Sequence, residues 1–152
     1  MRKIVIAFGL AAAVLACTRC TTLPSRNAVL PENTKWVDNP NLPGSQVAIL
    51  SGNPANAGPF TARLKFPANF KVWPHRHPID EVVTVISGVY RSGVGETLDA
   101  VRLQAYPTGS FVVRPAGTPH FVWTEQETII QVNGVGPNAT TYVNPADDPR
   151  KK

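Results

Sequence analysis

The sequence predicts an all-β domain, an antiparallel sandwich or barrel, on three observations. Fifteen prolines and eleven glycines punctuate the 152 residues too often for long helices. Between them lie short runs rich in Val, Ile, Phe and Thr, recurring roughly every 8–12 residues. Where a run is long enough to show a period, the period is two: Ala62, Leu64 and Phe66 alternate with Thr61, Arg63 and Lys65. The length suits a single domain. A hydrophobic share of 43% against 16% charged residues excludes a disordered chain, and the absence of a Gly-X-Y period excludes collagen.

The elements follow in order. Arg2 and Lys3 precede Ile4 to Ala16, a stretch without charge. That is the build of an export signal and too short for a membrane-spanning helix, which needs about 20 residues. The stretch ends Val14-Leu15-Ala16-Cys17, which resembles the lipobox of bacterial lipoproteins, in which the cysteine is lipidated after cleavage. Residues 1–16 thus read as a signal peptide and Cys17 as the lipidation site, with ordinary secretory cleavage after Ala16, leaving Cys17 a free thiol, as the alternative. The mature chain is expected in the periplasm, held to the membrane only by its N-terminal lipid. Cys20 completes a Cys-X-X-Cys pair, but its place at the signal boundary argues against a redox or metal motif. Residues 17–35 are polar, contain Pro24 and Pro31, and read as a tether.

The domain is expected over 36–146. Strands are predicted at 46–50, 60–66, 70–73, 81–91, 111–114, 120–124, 128–133 and 140–143, with turn residues between them. Only 96–104 suits a helix, and a short one. Residues 147–152 are a polar C-terminal tail. Fifteen basic against ten acidic residues give +5, and loss of Arg2 and Lys3 with the leader lowers this to +3. A dispersed excess of that size does not suit nucleic acid.

The chain has three histidines, His75, His77 and His120. On an extended strand the rings of His75 and His77 face the same way, and Glu81 shares their parity. In a rolled-up antiparallel sheet His120 can face them across the interior. Three imidazoles and one carboxylate suit one divalent transition metal (Fe, Mn, Zn, Ni, Cu or Co). They leave coordination positions for a small molecule.

The spacing adds a resemblance. Residues 75–88 read His-X-His, three residues, Glu81, six residues, Gly88; residues 109–120 read Gly109, five residues, Pro115-X-Gly117, two residues, His120. This resembles the two motifs of the cupin superfamily in their order, with 89–108 as the spacer between them. The resemblance implies a single double-stranded β-helix (jelly-roll) barrel with His75, His77, Glu81 and His120 as metal ligands. Two positions depart from it: Asn69 stands where the pattern has Gly, and Thr124 where it has Asn. Neither is a ligand position, and Asn tolerates a left-handed backbone. The chain is also similar to small exported single-barrel cupins of bacteria, and barrels of this kind commonly form homodimers. A dioxygenase-like oxidoreductase using Fe or Mn is the leading expectation. A metal-dependent isomerase or decarboxylase, or a ligand-binding or sensor barrel without turnover, stands beside it.

Parity also sketches the interior. Val83 and Val85 should face inward with Glu81, and Val122 and Thr124 with His120. Trp73 is expected to wall the mouth, and Phe121, Trp123 and Tyr90 to pack between the sheets. Arg63 is expected on the outer face, and Gln131 and Asn133 are the other polar strand residues able to orient a ligand. An interior whose one strong polar feature is the metal favours a phenolic or dicarbonyl small molecule over a sugar, since each unpaired buried hydroxyl costs roughly 1–3 kcal/mol. The anchor gives the first testable expectation. Cys17→Ser should move the protein from the membrane fraction to the soluble periplasm; an unmodified Cys17 in the wild type by mass spectrometry rules the lipid out.

Overall fold

The computed structural model describes residues 28–151. Its strands are β1 (Val37–Asp38), β2 (Gln46–Ser51), β3 (Gly58–Phe66), β4 (Phe70–Arg76), β5 (Glu81–Ser87), β6 (Val89–Val94), β7 (Gln104–Pro107), β8 (Phe111–Arg114), β9 (His120–Thr124), β10 (Thr128–Gly136) and β11 (Thr141–Tyr142). They form a six-stranded sheet, order β1-β2-β3-β10-β5-β8, and a five-stranded sheet, order β11-β4-β9-β6-β7. Every pairing is antiparallel. The segments expected as signal peptide and as the first part of the tether, with Cys17, lie outside the described residues.

The core is the space between the sheets, and alternation fills it. From the six-stranded sheet come Phe60, Ala62 and Phe66 of β3, Val83 and Val85 of β5, Val112 of β8, and Ile130 and Val132 of β10. Val72 of β4, Tyr90 of β6 and Val122 of β9 meet them from the other sheet. Fully burying each aliphatic side chain contributes about 1.5–3 kcal/mol. The opposite face of β3 and β10 is polar. There Arg63 Nε donates to Gln131 Oε1 at 3.3 Å and Asn133 Nδ2 to Thr61 Oγ1 at 2.7 Å. Arg63 is therefore on the outer face as expected, and Gln131 and Asn133 share that face.

The run expected as one strand over 81–91 breaks at Gly88, where φ is +78°. The break passes the chain from the six-stranded sheet to the five-stranded one. A Cβ at Gly88 would stand 2.4 Å from the Glu127 carbonyl oxygen and 2.8 Å from Thr128 Oγ1, so both backbone and space demand glycine. Asn69, at φ +59°, takes the left-handed conformation between β3 and β4 that its place in the motif suggests. β4 carries a bulge, its register to β9 shifting between Val72 and His75. The shift breaks the parity on which Trp73 was placed at the mouth: Val72 and His75 both turn inward, and Trp73 is left 41% exposed on the surface.

Phe121 and Trp123 also depart from expectation. They share the face of β9 opposite His120 and Val122. Phe121 is fully buried on the outer side of the sheet, with its ring against Gly93 and Gly95 at the start of the 95–103 segment. Trp123 lies under the Lys71 ammonium, 4.4 Å from the ring centroid. The helix expected over 96–104 shrinks to one 3-10 turn, Ala100–Arg102, capped by the Asp99 side chain. Val101 at its centre is 93% exposed, so no apolar face exists to hold a longer helix on the barrel. The C-terminal segment is tied down rather than free. Arg150 grips Asp148 through two 2.7 Å bonds and donates to the Thr140 carbonyl at 3.1 Å.

The two left-handed positions predict different tolerances. Asn69→Gly should leave stability nearly unchanged, whereas Asn69→Val should lose about 1–2 kcal/mol from the backbone alone. Gly88→Ala, which adds the clash, should lose about 2–4 kcal/mol. Urea melts of the three variants check this ordering, and equal losses at both sites would contradict it.

Candidate metal centre

Each motif straddles the two sheets, and that straddling assembles the site. β4 ends by presenting His75, and the chain presents His77 just beyond it. The chain then crosses to the six-stranded sheet, where Glu81 opens β5. His120 opens β9 and is the register partner of His75 across the β4–β9 ladder. The turn before it is pinned to the first motif by the Gly117 amide, which donates to the His77 carbonyl at 2.8 Å. The four side chains expected from sequence therefore meet at one end of the barrel. All are buried, between 1% and 9% exposed. Arg76 points away from them and pairs with Glu96 at 3.0 Å.

The rings sit close, with centroids 4.2 Å apart for His75 and His120, 5.0 Å for His75 and His77, and 5.4 Å for His77 and His120. Ring nitrogens of all three lie within 4.8 Å of one another. Each Nδ1 is 2.7–3.1 Å from a backbone carbonyl: Trp73 for His75, Ala139 for His77, Thr118 for His120. A carbonyl only accepts, so each Nδ1 carries the proton and each Nε2 keeps a lone pair. Glu81 completes the cluster. Its Oε1 is 3.6 Å from His77 Nε2 and its Oε2 3.6 Å from His120 Nε2. Atoms bound to one metal at about 2.0–2.2 Å stand roughly 3.0–3.5 Å apart, so the carboxylate needs only a small adjustment to share an ion with the imidazoles.

The electrostatics agree. Burial holds His75 down at about 3, with the nearby His120 and His77 adding to the effect, so its ring is neutral. Burial pushes the Glu81 carboxyl up, but the imidazoles packed around it, His120 foremost, outweigh this and hold it at about 2. Neutral imidazole lone pairs facing a buried carboxylate have no protein donor to satisfy them all. A divalent cation fits that donor set, and its chemistry suits Fe, Mn, Co, Ni, Cu or Zn.

These residues stand on the wall of a cavity of about 380 Å³ between the sheets. Most of its lining is apolar: Phe60, Ala62, Leu64, Phe66, Val72, Val122, Ile130 and Val132. Val122 faces it as expected. Val83 and Val85 are inward but packed behind it, and Thr124 spends its hydroxyl on the Pro67 carbonyl at 3.0 Å. The lining is more polar than parity suggested, because Asn39, Asn41, Asn53, Asn138 and Thr140 rim it from loops. Loop residues have no period, so no pattern in the sequence marks them. Tyr90, expected between the sheets, is inward and lines the cavity as well.

Comparison with known proteins follows this geometry. A family model described as a domain of unknown function (DUF4437) matches residues 27–147. No protein of curated function matches the sequence. The polyketide cyclase RemF from Streptomyces resistomycificus superposes with a TM-score of 0.66 at 19% identity, covering 82% of this chain and 89% of the cyclase. An RmlC-like cupin from Shewanella frigidimarina gives 0.58 at 16% identity, over 73% and 91% of the two chains. Salicylate 1,2-dioxygenase from Pseudaminobacter salicylatoxidans gives 0.53 at 13% identity over 65% of this chain, a match that spans only 30% of that enzyme. A variant of the dioxygenase is known in complex with gentisate. At these identities the likeness is one of fold, and the fold is that of the cupins. The chain belongs to the DUF4437 family and is built as a single cupin barrel.

Proposed function

We propose that the protein is a metal-dependent oxidoreductase of dioxygenase type, acting outside the cytoplasm on a small phenolic or dicarbonyl molecule, with His75, His77, Glu81 and His120 as the metal ligands. The observation that carries this reading is the orientation of the imidazoles. Three Nδ1–H groups are committed to backbone carbonyls, which leaves three Nε2 lone pairs and one carboxylate convergent on the wall of an apolar cavity. Such carbonyl partners fix ring orientation and tautomer in metal sites. A metal held there supplies Lewis acidity and, when it is iron or manganese, a redox partner for dioxygen. The chain's own residues do the rest. The aliphatic walls keep water from the bound molecule, and the cavity volume suits a ligand of one or two rings. Salicylate dioxygenase, of the same fold, acts on a molecule of the proposed class.

A redox-neutral reading, with the metal steadying an enolate, draws on the fuller overlap with the polyketide cyclase. Oxygen uptake separates the two. Protein loaded with Fe(II) and given gentisate or acetylacetone should consume O₂. Conversion without uptake favours the redox-neutral reading, and binding without conversion favours a ligand-binding barrel. His75→Ala, His77→Ala and His120→Ala should each lower metal affinity by more than the 10–100-fold that losing an outer partner costs, and Glu81→Gln should lower it less. Elemental analysis reads this out. Stoichiometric metal retained by His120→Ala contradicts the four-residue site.

The metal-free protein should lose stability in acid. Between about 6.5 and 3 the unfolded chain protonates His75 while the folded chain does not, and between about 4.5 and 2 the same holds for Glu81. The unfolded state binds more protons throughout that window, so stability falls as pH drops from 6.5 towards 2. Urea midpoints of metal-free protein across that range check the sign, and His75→Ala should flatten the upper part of the curve.

A further inference from the structure

One polar group on the cavity wall has no part in the metal site. Tyr90 is 2% exposed, stands on β6 and lines the cavity. Its ring is set by the core and by Tyr106, with centroids 6.3 Å apart. Two residues on, with the same inward parity, Ser92 is 1% exposed. Arg114 crosses from β8 in the other sheet and donates through Nη2 to Ser92 Oγ at 3.1 Å. A guanidinium can only donate. Ser92 therefore accepts from Arg114, and no side-chain hydrogen bond engages the phenol oxygen of Tyr90. Among the described residues no protein acceptor takes its proton. Nor is the hydroxyl sealed away: Tyr142 Oη and Arg114 Nε are buried without a partner, but Tyr90 Oη is not of that kind. The β6–β9 register places Val94 opposite His120 and Ser92 opposite Val122. Tyr90, two residues before Ser92, thus stands two same-face steps along β6 from the row of His120, roughly 13 Å at the backbone.

We propose that the Tyr90 hydroxyl is the second polar anchor of the cavity, donating a hydrogen bond to an acceptor oxygen on the side of the ligand away from the metal. The inference rests on the proposed function for the first anchor. The ligand class narrows accordingly, to a planar ring or enol that carries oxygens at both ends. Burial pushes the Tyr90 phenol above its ordinary range and the Glu81 carboxylate adds to this, so the group stays protonated and able to donate.

Gentisate and salicylate test this as a pair, because both carry the hydroxy-carboxylate that suits a metal and only gentisate has a further hydroxyl across the ring. Calorimetric titration of the Zn-loaded and metal-free wild-type protein should show gentisate bound about tenfold more tightly than salicylate. In Tyr90→Phe, which keeps the ring and the packing, the ratio should fall to about one. A ratio that Tyr90→Phe does not move, or a wild type without the preference, overturns the inference. Metal stoichiometry, measured on the same samples, tests the other reading separately. Intact metal with an unmoved ratio sinks only the role of Tyr90. A protein that takes up no metal but whose preference still depends on Tyr90 sinks only the metal site.

Discussion

A carboxylate and three imidazoles enclosed between two sheets are costly to desolvate, and the barrel tolerates them only because each imidazole is already half satisfied. The carbonyls of Trp73, Ala139 and Thr118 take the Nδ1 protons and thereby dictate where each Nε2 lone pair looks. Each carbonyl comes from a different piece of chain: the bulged strand before His75, the loop after β10, and the turn before His120. The orientation of the rings therefore depends on the closure of the whole barrel. The bond from Gly117 to the His77 carbonyl locks the two histidine motifs together from behind.

The same closure explains why ligands come from both sheets. β4 and β9 belong to the five-stranded sheet and carry the histidines, while β5 belongs to the six-stranded sheet and carries Glu81. If the sheets were to slide apart, the carboxylate would leave the imidazoles. The paired aliphatic rows that resist this, Val83, Val85, Ile130 and Val132 against Val72 and Val122, are also the walls of the cavity or stand just behind them. Packing and site geometry are one constraint here. Most of the lining is apolar, and apart from the four-residue cluster its polar groups are Tyr90, Thr140 and the rim asparagines.

Much of this was legible in the chain. The two-residue period of Ala62, Leu64 and Phe66 is a local property of a half-buried strand, and it named the inward face without any partner. Asn69 announced a left-handed turn because few other residues accept one. His75, His77, Glu81 and His120 were marked by spacing, since a motif that crosses between sheets must place its ligands at fixed distances from its turns.

Other features were decided by neighbours. The bulge in β4 arises where that strand meets β9, and it put Trp73 outside against its parity. Gly88 divides what reads as one continuous apolar run, because the chain must change sheets there. Phe121 is buried on the outer side of its strand because the 95–103 segment folds over it. The asparagine rim belongs to loops, whose positions follow from the strands they join and from no period of their own. The chain by itself determined the alternating strands, the turns that need special backbone and the four side chains of the site. Only the tertiary structure decided which carbonyls hold the imidazoles, which aromatics face the cavity and where its polar groups lie, because those depend on contacts between segments far apart in sequence.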